Sequence, residues 1–197
     1  MILSIYGYGE PVLRKMGEEI SKDYPNLKET IANMYETMYN AHGVGLAAPQ
    51  VGLPIRLFIV DTEPFADSDE VSKEEAAELE GFKKTFINAK ILKEEGDVWG
   101  FNEGCLSIPD IREDVSRHSD ILINYLDENF VPQSVWYNGL AARVIQHEYD
   151  HIEGKLFTDR LNPLRKTMLK SKLDAISKGL VKVDYKMKFP FSKKGRS

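Results

Sequence analysis

The sequence has very little cysteine and no long hydrophobic segment. Its single cysteine among 197 residues cannot form an internal disulfide, which excludes a disulfide-stabilised secreted domain. Unbroken apolar runs such as residues 57–60 are far shorter than the ~20 residues needed to cross a bilayer. Residues 1–15 lack the basic segment, apolar segment and cleavage site of a signal peptide. We therefore expect a cytoplasmic protein without a membrane partner.

The formal net charge of −5 conceals an uneven distribution of charged residues. Residues 61–80 contain nine acidic residues and one lysine, whereas residues 164–197 contain eleven basic and two acidic residues. We interpret residues 61–81 as a solvated surface insertion, in which Ser72 and Glu75 have the spacing of a helix capping box. The basic tail is typical either of a disordered terminus or of a ribosome-binding segment, because lysines attract RNA phosphates. We expect no DNA partner.

The pattern of apolar residues and turn signals predicts an α+β fold. One domain is expected over residues 1–165, followed by a helix end and the basic tail over residues 166–197. Helices are predicted over residues 25–41, 138–154 and 161–178. Strands are predicted over residues 55–60, 84–92, 97–101, 120–126 and 130–137. We expect antiparallel β-sheets packed around the central helix of residues 138–154, with an N-terminal and a C-terminal helix beside them.

The central helix contains the sequence His147-Glu148-Tyr149-Asp150-His151. Histidines four residues apart project from adjacent helical turns, so both imidazoles can bind one metal ion, and the intervening glutamate can act on water. A shuffled chain of the same composition contains this HExxH pattern in roughly 0.7% of cases. The alternative is that both histidines are ordinary helix residues bonded to carbonyls or carboxylates.

A catalytic site of this kind normally has a third protein ligand and one open position. In one protease pattern that ligand would be a histidine at the position of Phe157, so this variant is excluded. A carboxylate ligand, as in other HExxH peptidases, would have to be Asp159 or Asp174. The remaining candidates are His42, His118 and Cys105, although an isolated cysteine is more often a buried apolar residue.

Three segments resemble the ordered motifs of the peptide deformylase family. They are residues 43–50 (GVGLAAPQ), 103–107 (EGCLS) and 146–151 (QHEYDH). The similarity covers about residues 5 to 165 and implies a catalytic domain that removes the formyl group from the N-terminal methionine of newly made polypeptides. It also implies one divalent metal ion bound by Cys105, His147 and His151. In this family the native ion is usually Fe²⁺, and Zn²⁺, Ni²⁺ or Co²⁺ can substitute for it.

The resemblance implies roles for further residues. Glu148 would be the general acid and base, and the Gln50 amide and the Leu106 N–H would be donors to the oxyanion. The substrate-binding candidates are Gly43, Val44, Gly45, Phe101, Gly104, Arg112, Leu140 and Val144. Each of these also has a purely structural explanation: core packing for the apolar side chains, turn geometry for the glycines and a surface ion pair for Arg112.

Two other functions stay open at this point. A zinc-dependent peptidase that cleaves internal peptide bonds would require a carboxylate as third ligand. A non-catalytic binding module with a structural metal would require four protein ligands, of which the sequence offers three convincing ones, and it would leave Glu148 without a task.

Overall fold

The computed structural model of the protein describes residues 1–66 and 73–191. Within these ranges, helices and an antiparallel sheet form the α+β fold that the sequence predicts. The predicted capping box begins at Ser72, which lies outside the described residues, as do residues 192–197 of the basic tail. None of the helices in the described part of the chain has the length and apolar character of a membrane span.

The long helices lie close to their predicted positions because their apolar residues recur at helical spacing. In chain order the helices are α1 (Leu27–Asn40), α2 (Glu63–Ala66), α3 (Lys73–Leu79), α4 (Gly139–Ile152) and α5 (Pro163–Ser177). The chain leaves α4 at Gly154, where φ is +70° and where a Cβ atom would lie 2.8 Å from the carbonyl oxygen of Arg14. Glycine therefore suits this helix end, because it adopts the left-handed conformation readily and has no Cβ atom to clash with Arg14.

The main sheet is antiparallel, with strands in the order β2-β3-β4-β5-β6, and β1 pairs with β7 in a separate parallel pair. In chain order the strands are β1 (Ile5–Tyr6), β2 (Gly45–Ala47), β3 (Leu57–Asp61), β4 (Lys83–Cys105), β5 (Ile108–Leu126), β6 (Pro132–Tyr137) and β7 (Met187–Lys188). Helix α4 packs against β2, β3 and β5. Its residues Ala142 and Ile145 share one buried cluster with Phe58, Phe86 and Ile123.

Strand β4 is longer than the sequence predicts. The predicted runs 84–92 and 97–101 belong to one strand, and the turn signal Glu95-Gly96 marks a shift of register between Glu95 and Val98. Gly96 has φ of +75°, which a β-bulge can require and which glycine adopts readily. The glycine thus bends a continuous strand and does not close a hairpin.

Strand β5 also begins earlier than predicted, at Ile108. Its buried side chains alternate with exposed ones, as in a half-buried strand, but two of the buried ones are Glu113 and Arg117. These charges are buried because they pair with Arg165 and Glu103 respectively. Because charged residues occupy these buried positions, the pattern of apolar residues does not predict the first half of β5 as a strand.

Helix α5 crosses residue 165, the predicted end of the domain. The helix residues Leu169, Leu173 and Ile176 are buried in one cluster with Ile111 and Val115 of β5. After α5 the chain returns to the N-terminus, where Met187 and Lys188 pair with Ile5 and Tyr6.

Candidate metal centre

Three segments that are far apart in the sequence meet beside α4. Gln50 lies in the 3₁₀ turn that follows β2, and both histidines of the HExxH sequence lie on α4. Cys105 is the last residue of β4, and it pairs with Ile108 so that Leu106 and Ser107 close the β4–β5 hairpin. The antiparallel pairing of β4 with β5 and the packing of α4 on the sheet bring these side chains together.

The three predicted ligands lie close enough to bind one ion. One ligand atom from each of Cys105, His147 and His151 can be chosen so that all three lie within 4.8 Å of one another. The Cys105 Sγ lies 3.3 Å from Nε2 of His151, and the imidazole centroids are 5.2 Å apart. Burial lowers the pKa of His151 well below its ordinary value, which favours the neutral ring that binds metals. A thiolate and two imidazoles form a donor set that fits a divalent transition metal ion.

Glu103 orients the first histidine of the site. Its Oε2 accepts a hydrogen bond from Nδ1 of His147 at 2.9 Å, so the other ring nitrogen is left for the metal. Arg117 donates to both oxygens of Glu103, at 2.7 and 2.9 Å, and Arg143 donates to Oε1 at 3.1 Å. Burial opposes ionisation of Glu103, but the hydrogen bonds from Arg117 and His147 outweigh it and hold the pKa of this carboxyl well below its usual range.

Asp150, inside the HExxH sequence, extends this buried network. It accepts hydrogen bonds from Arg117 at 2.7 Å and from Arg160 at 2.6 and 2.7 Å. Glu103, Arg117 and Asp150 are each less than 5% exposed. Because buried charges are costly unless they are paired, these residues act as one unit that holds β4, β5 and α4 in place around His147.

Glu148 lies on α4 with a buried carboxylate, of which Oε2 has no hydrogen-bond partner among the described residues. Burial raises the pKa of this carboxyl to about 7. The neighbouring strand approaches it so closely that a Cβ atom on Gly45 would lie 2.5 Å from Oε1 of Glu148. Only glycine at position 45 therefore leaves enough space for the Glu148 carboxylate. A buried carboxylate with a pKa near neutrality suits general acid–base catalysis.

The Gln50 amide is oriented by the backbone. Its Oε1 accepts a hydrogen bond from the N–H of Ala47 at 2.8 Å, so its Nε2 faces the hairpin. Nε2 lies 3.5 Å from Sγ of Cys105 and 3.2 Å from Oγ of Ser107. The side chain is buried and presents N–H groups beside the candidate ligands.

A cavity of about 840 Å³ opens onto these residues. It is lined by the predicted residues Gly43, Val44, Gly45, Gln50, Phe101, Gly104, Cys105, Leu106, Arg112, Val144, His147 and Glu148. Leu140 does not line it and lies one helical turn before Val144, in the first turn of α4. Arg112 makes no surface ion pair in the described part of the chain but donates through Nε to Oδ1 of Asn102 at 2.8 Å.

The cavity also has lining residues that the sequence motifs do not predict. Phe65 comes from the acidic insertion and makes an edge contact with Phe101, at 6.5 Å between ring centroids. Arg143 stacks over Trp99, with its guanidinium carbon 4.3 Å from the ring centroid. Residues 182–185, near the C-terminus, also line the cavity. None of these belongs to a short motif, so local sequence offered no signal for them.

The carboxylates considered as third ligands lie elsewhere. Asp159 pairs with Arg14, and Asp174 pairs with Lys178 at 2.6 Å. Neither belongs to a metal-binding cluster within the described ranges, where Cys105 completes the set with the two histidines. The geometry therefore favours the cysteine over a carboxylate.

Comparison with known proteins agrees with this site. The family model described as polypeptide deformylase matches residues 2–167. The chain is 70% identical over 188 residues to a peptide deformylase of Flavobacterium psychrophilum, a match that covers 95% of this chain and 97% of that protein. It is 63% identical over 196 residues to a peptide deformylase of Flavobacterium johnsoniae, covering 100% of both.

Solved structures give the same result. The crystal structure of a peptide deformylase from Legionella pneumophila matches with a TM-score of 0.74 and 35% sequence identity, covering 88% of this chain and 94% of that chain. The chain belongs to the polypeptide deformylase family, whose members are metal-dependent hydrolases that remove the formyl group from the N-terminal methionine of newly made polypeptides.

Proposed function

We propose that Cys105, His147 and His151 hold the metal ion of this deformylase, and that Glu148, Gln50 and the N–H of Leu106 act on the substrate beside it. The observation that supports this assignment best is the convergence of one thiol and two imidazoles within 4.8 Å. Two of these ligands, Cys105 and His147, border a cavity that Glu148 and Gln50 also line. Three protein ligands leave one position for chemistry, as in catalytic sites.

Glu148 is the proton carrier in this proposal. When bound, the divalent ion supplies positive charge that acidifies water and polarises the formyl carbonyl. The Glu148 carboxylate accepts a proton from the water that attacks the formyl carbon. Glu148 then gives this proton to the methionine nitrogen as the C–N bond breaks, so the products are a free amino terminus and formate. A pKa raised to about 7 by burial suits both directions of transfer.

Gln50 and Leu106 stabilise the negative charge that develops on the formyl oxygen. The bond from Ala47 holds the Gln50 amide with its N–H groups towards Cys105. Leu106 follows Cys105 in the hairpin and lines the cavity, so its N–H is the second donor in this proposal. Donors oriented in advance stabilise charge without reorganisation during the reaction.

The substrate peptide binds in extended form beside β2. This strand lies at the edge of the main sheet, and residues Gly43, Val44 and Gly45 line the cavity. An edge strand offers unpaired backbone groups to a peptide, and Gly104 on β4 lines the same cavity. Val44, Phe101 and Val144 supply apolar surface for the methionine side chain, while Arg112 contacts the peptide further out.

The native ion in this proposal is Fe²⁺. Thiolate and imidazole ligands also accept Zn²⁺, Ni²⁺ and Co²⁺, so the ligand set alone does not select the ion. Purification without oxygen, metal analysis and a formate-release assay on the same preparation test the proposal. We expect about one iron per chain and formate release from a formylated Met-peptide. An unformylated Met-peptide provides the blank. The function would be contradicted if the protein cleaved an internal bond of this peptide and released no formate from the formylated one.

We also propose that the basic C-terminal region binds the ribosome, where formylated chains emerge. Lys170 and Lys172 are exposed on α5, and clustered lysines attract RNA phosphates. In co-sedimentation at fixed salt, the double variant Lys170→Glu/Lys172→Glu should pellet less with ribosomes than wild type. The matched control is Lys22→Glu/Lys28→Glu, which reverses two exposed lysines near the N-terminus. Equal sedimentation of both variants and wild type would contradict the interaction.

The division of the chain is part of this proposal. Residues 1–165 form the catalytic domain, and residues 166–197 form a C-terminal extension, of which the described residues 166–191 include the buried face of α5 and strand β7. The end of the family match at residue 167 supports this division.

A further inference from the structure

The segment after α5 is attached to the rest of the protein at both of its ends. At its start, the N–H of Leu180 donates to the carbonyl oxygen of Ala175 at 2.9 Å. At its end, the N–H of Ile5 donates to Lys186 and the N–H of Gly7 donates to Lys188, both at 2.8 Å. These bonds hold the intervening residues in one place on the surface of the protein.

The middle of this segment forms a wall of the substrate cavity. Lys182, Val183, Asp184 and Tyr185 line the cavity together with the metal-ligand candidates Cys105 and His147. Nε2 of His42, the residue before Gly43, lies 3.7 Å from Oδ2 of Asp184. All four residues lie beyond residue 167, where the family match ends, so their role is not transferred from the family.

Tyr185 contacts the hairpin that contains Cys105. Its hydroxyl donates to the carbonyl oxygen of Leu106 at 2.8 Å, across 79 residues of sequence. The next carbonyl of the hairpin, that of Ser107, accepts from the N–H of Tyr8 at 2.8 Å. Residues from the two ends of the chain therefore hold the hairpin turn beside the metal-ligand cysteine.

Leu106 has little freedom on its other side. A Cβ atom on Gly43 would lie 2.8 Å from Cδ1 of Leu106, so the leucine side chain packs directly on the backbone just before β2. With its carbonyl bonded to Tyr185 and its side chain against Gly43, Leu106 has its backbone orientation restrained on both sides. The Leu106 N–H lies in the peptide plane before the Cα atom and the bonded carbonyl in the plane after it, so restraining the carbonyl and the side chain limits the directions that the N–H can take.

We propose that Tyr185 is a positioning residue for deformylation, which holds Leu106 so that its N–H faces the developing oxyanion. The inference rests on the proposed function of the Leu106 N–H. Tyr185 acts through Leu106 and transfers no proton itself. Loss of its hydroxyl should therefore reduce transition-state stabilisation and leave substrate binding nearly unchanged.

The test compares Tyr185→Phe with wild type in steady-state formate release. We expect kcat to fall about tenfold, with KM changed less than twofold, because one hydrogen bond is worth roughly a factor of ten and misplaced donors lose stabilisation. Metal content per chain and melting temperature, measured on the same samples, should stay close to wild type. The matched control is Tyr35→Phe, which removes a half-buried hydroxyl bonded to Thr85 outside the cavity.

The outcomes separate this inference from the proposed function. If the wild type is active and Tyr185→Phe is equally active, the role of Tyr185 is overturned and the proposed function is not. A rise in KM with unchanged kcat, or a loss of bound metal, would also overturn it, because Tyr185 would then serve substrate binding or the metal site. A wild type that releases no formate would instead overturn the proposed function.

Discussion

Glu103 and His147 are joined by a hydrogen bond of 2.9 Å that links the metal centre to the buried charges behind it. The Glu103 carboxylate also accepts hydrogen bonds from Arg117 and Arg143. The orientation of the His147 imidazole therefore depends on residues from β4, β5 and α4. Residues that orient a metal-bound histidine in this way affect both metal affinity and stability.

Replacing Glu103 with Gln should therefore weaken metal binding about 10- to 100-fold, because the imidazole loses its charged partner. The unfolding free energy should also fall, by about 3–5 kcal/mol at most, since Arg117 would be left with a single buried carboxylate partner. Competition with a chelator and denaturant unfolding measure the two effects.

The control for Glu103 is Glu113→Gln, on the strand directly opposite. Glu113 is also buried and bonded by an arginine, Arg165, and within the described residues it forms no hydrogen bond or ion pair with His147 or His151. It should lose stability with unchanged metal affinity. Equal metal affinity in the two variants would show that Glu103 does not support the site.

Replacing Glu148 with Ala should abolish nearly all formate release while the protein keeps its metal. The carboxylate is the only proton carrier in the proposed mechanism, and it is not among the three ligands. Turnover and metal content are measured on the same preparation. A metal-loaded Glu148→Ala protein with full activity would refute the assignment of the acid and base.

Replacing Gln50 with Ala should lower kcat about 10²- to 10³-fold, the typical effect of losing one oxyanion donor. Metal content should remain unchanged, because the amide contacts Cys105 only through a weak bond of 3.5 Å. Single-turnover measurements would locate the loss in the chemical step. A change confined to KM would assign Gln50 to substrate binding.

Replacing Cys105 with Ser should reduce the metal bound per chain, because a hydroxyl is a much poorer ligand than a thiolate for these ions. Activity should fall in proportion to the metal lost. Metal analysis after dialysis against a chelator provides the comparison with wild type. Unchanged stoichiometry would mean that another residue is the third ligand.

Replacing Gly45 with Ala should displace Glu148, since the new Cβ would lie 2.5 Å from its Oε1. We expect a loss of activity with the metal retained. Gly100→Ala is the control, because within the described residues a Cβ atom there would have no atom within 4 Å apart from those of Gly100 and its two chain neighbours. If both variants have wild-type kcat, the close approach of β2 to Glu148 has no functional importance.

The candidate site was predictable from sequence where its chemistry depends on local spacing. The two histidines and Glu148 lie on one helix, and Cys105 and Gln50 lie in short glycine-containing motifs. The Cys105 hairpin itself was not predicted, because a bulge at Gly96 resembled a turn and the real turn at Leu106 and Ser107 has no strong turn residues.

The residues behind and around the site were not predictable in the same way. Arg117 and Tyr185 act across long sequence separations, through bonds to Glu103 and to Leu106. Their partners are determined by strand register and by the path of the C-terminal segment, which no local pattern specifies. Phe65 lines the cavity for the same reason, although the composition of residues 61–81 predicts a solvated surface insertion.

The most direct test of the central claim is a titration of metal-depleted protein with Fe²⁺ under anaerobic conditions, with formate release from a formylated Met-peptide as the signal. Activity should rise in proportion to added iron and stop rising at about one ion per chain, and Cys105→Ser should show no such sharp endpoint. Full activity of the metal-depleted protein, or an identical titration of the Cys105→Ser variant, would contradict the account.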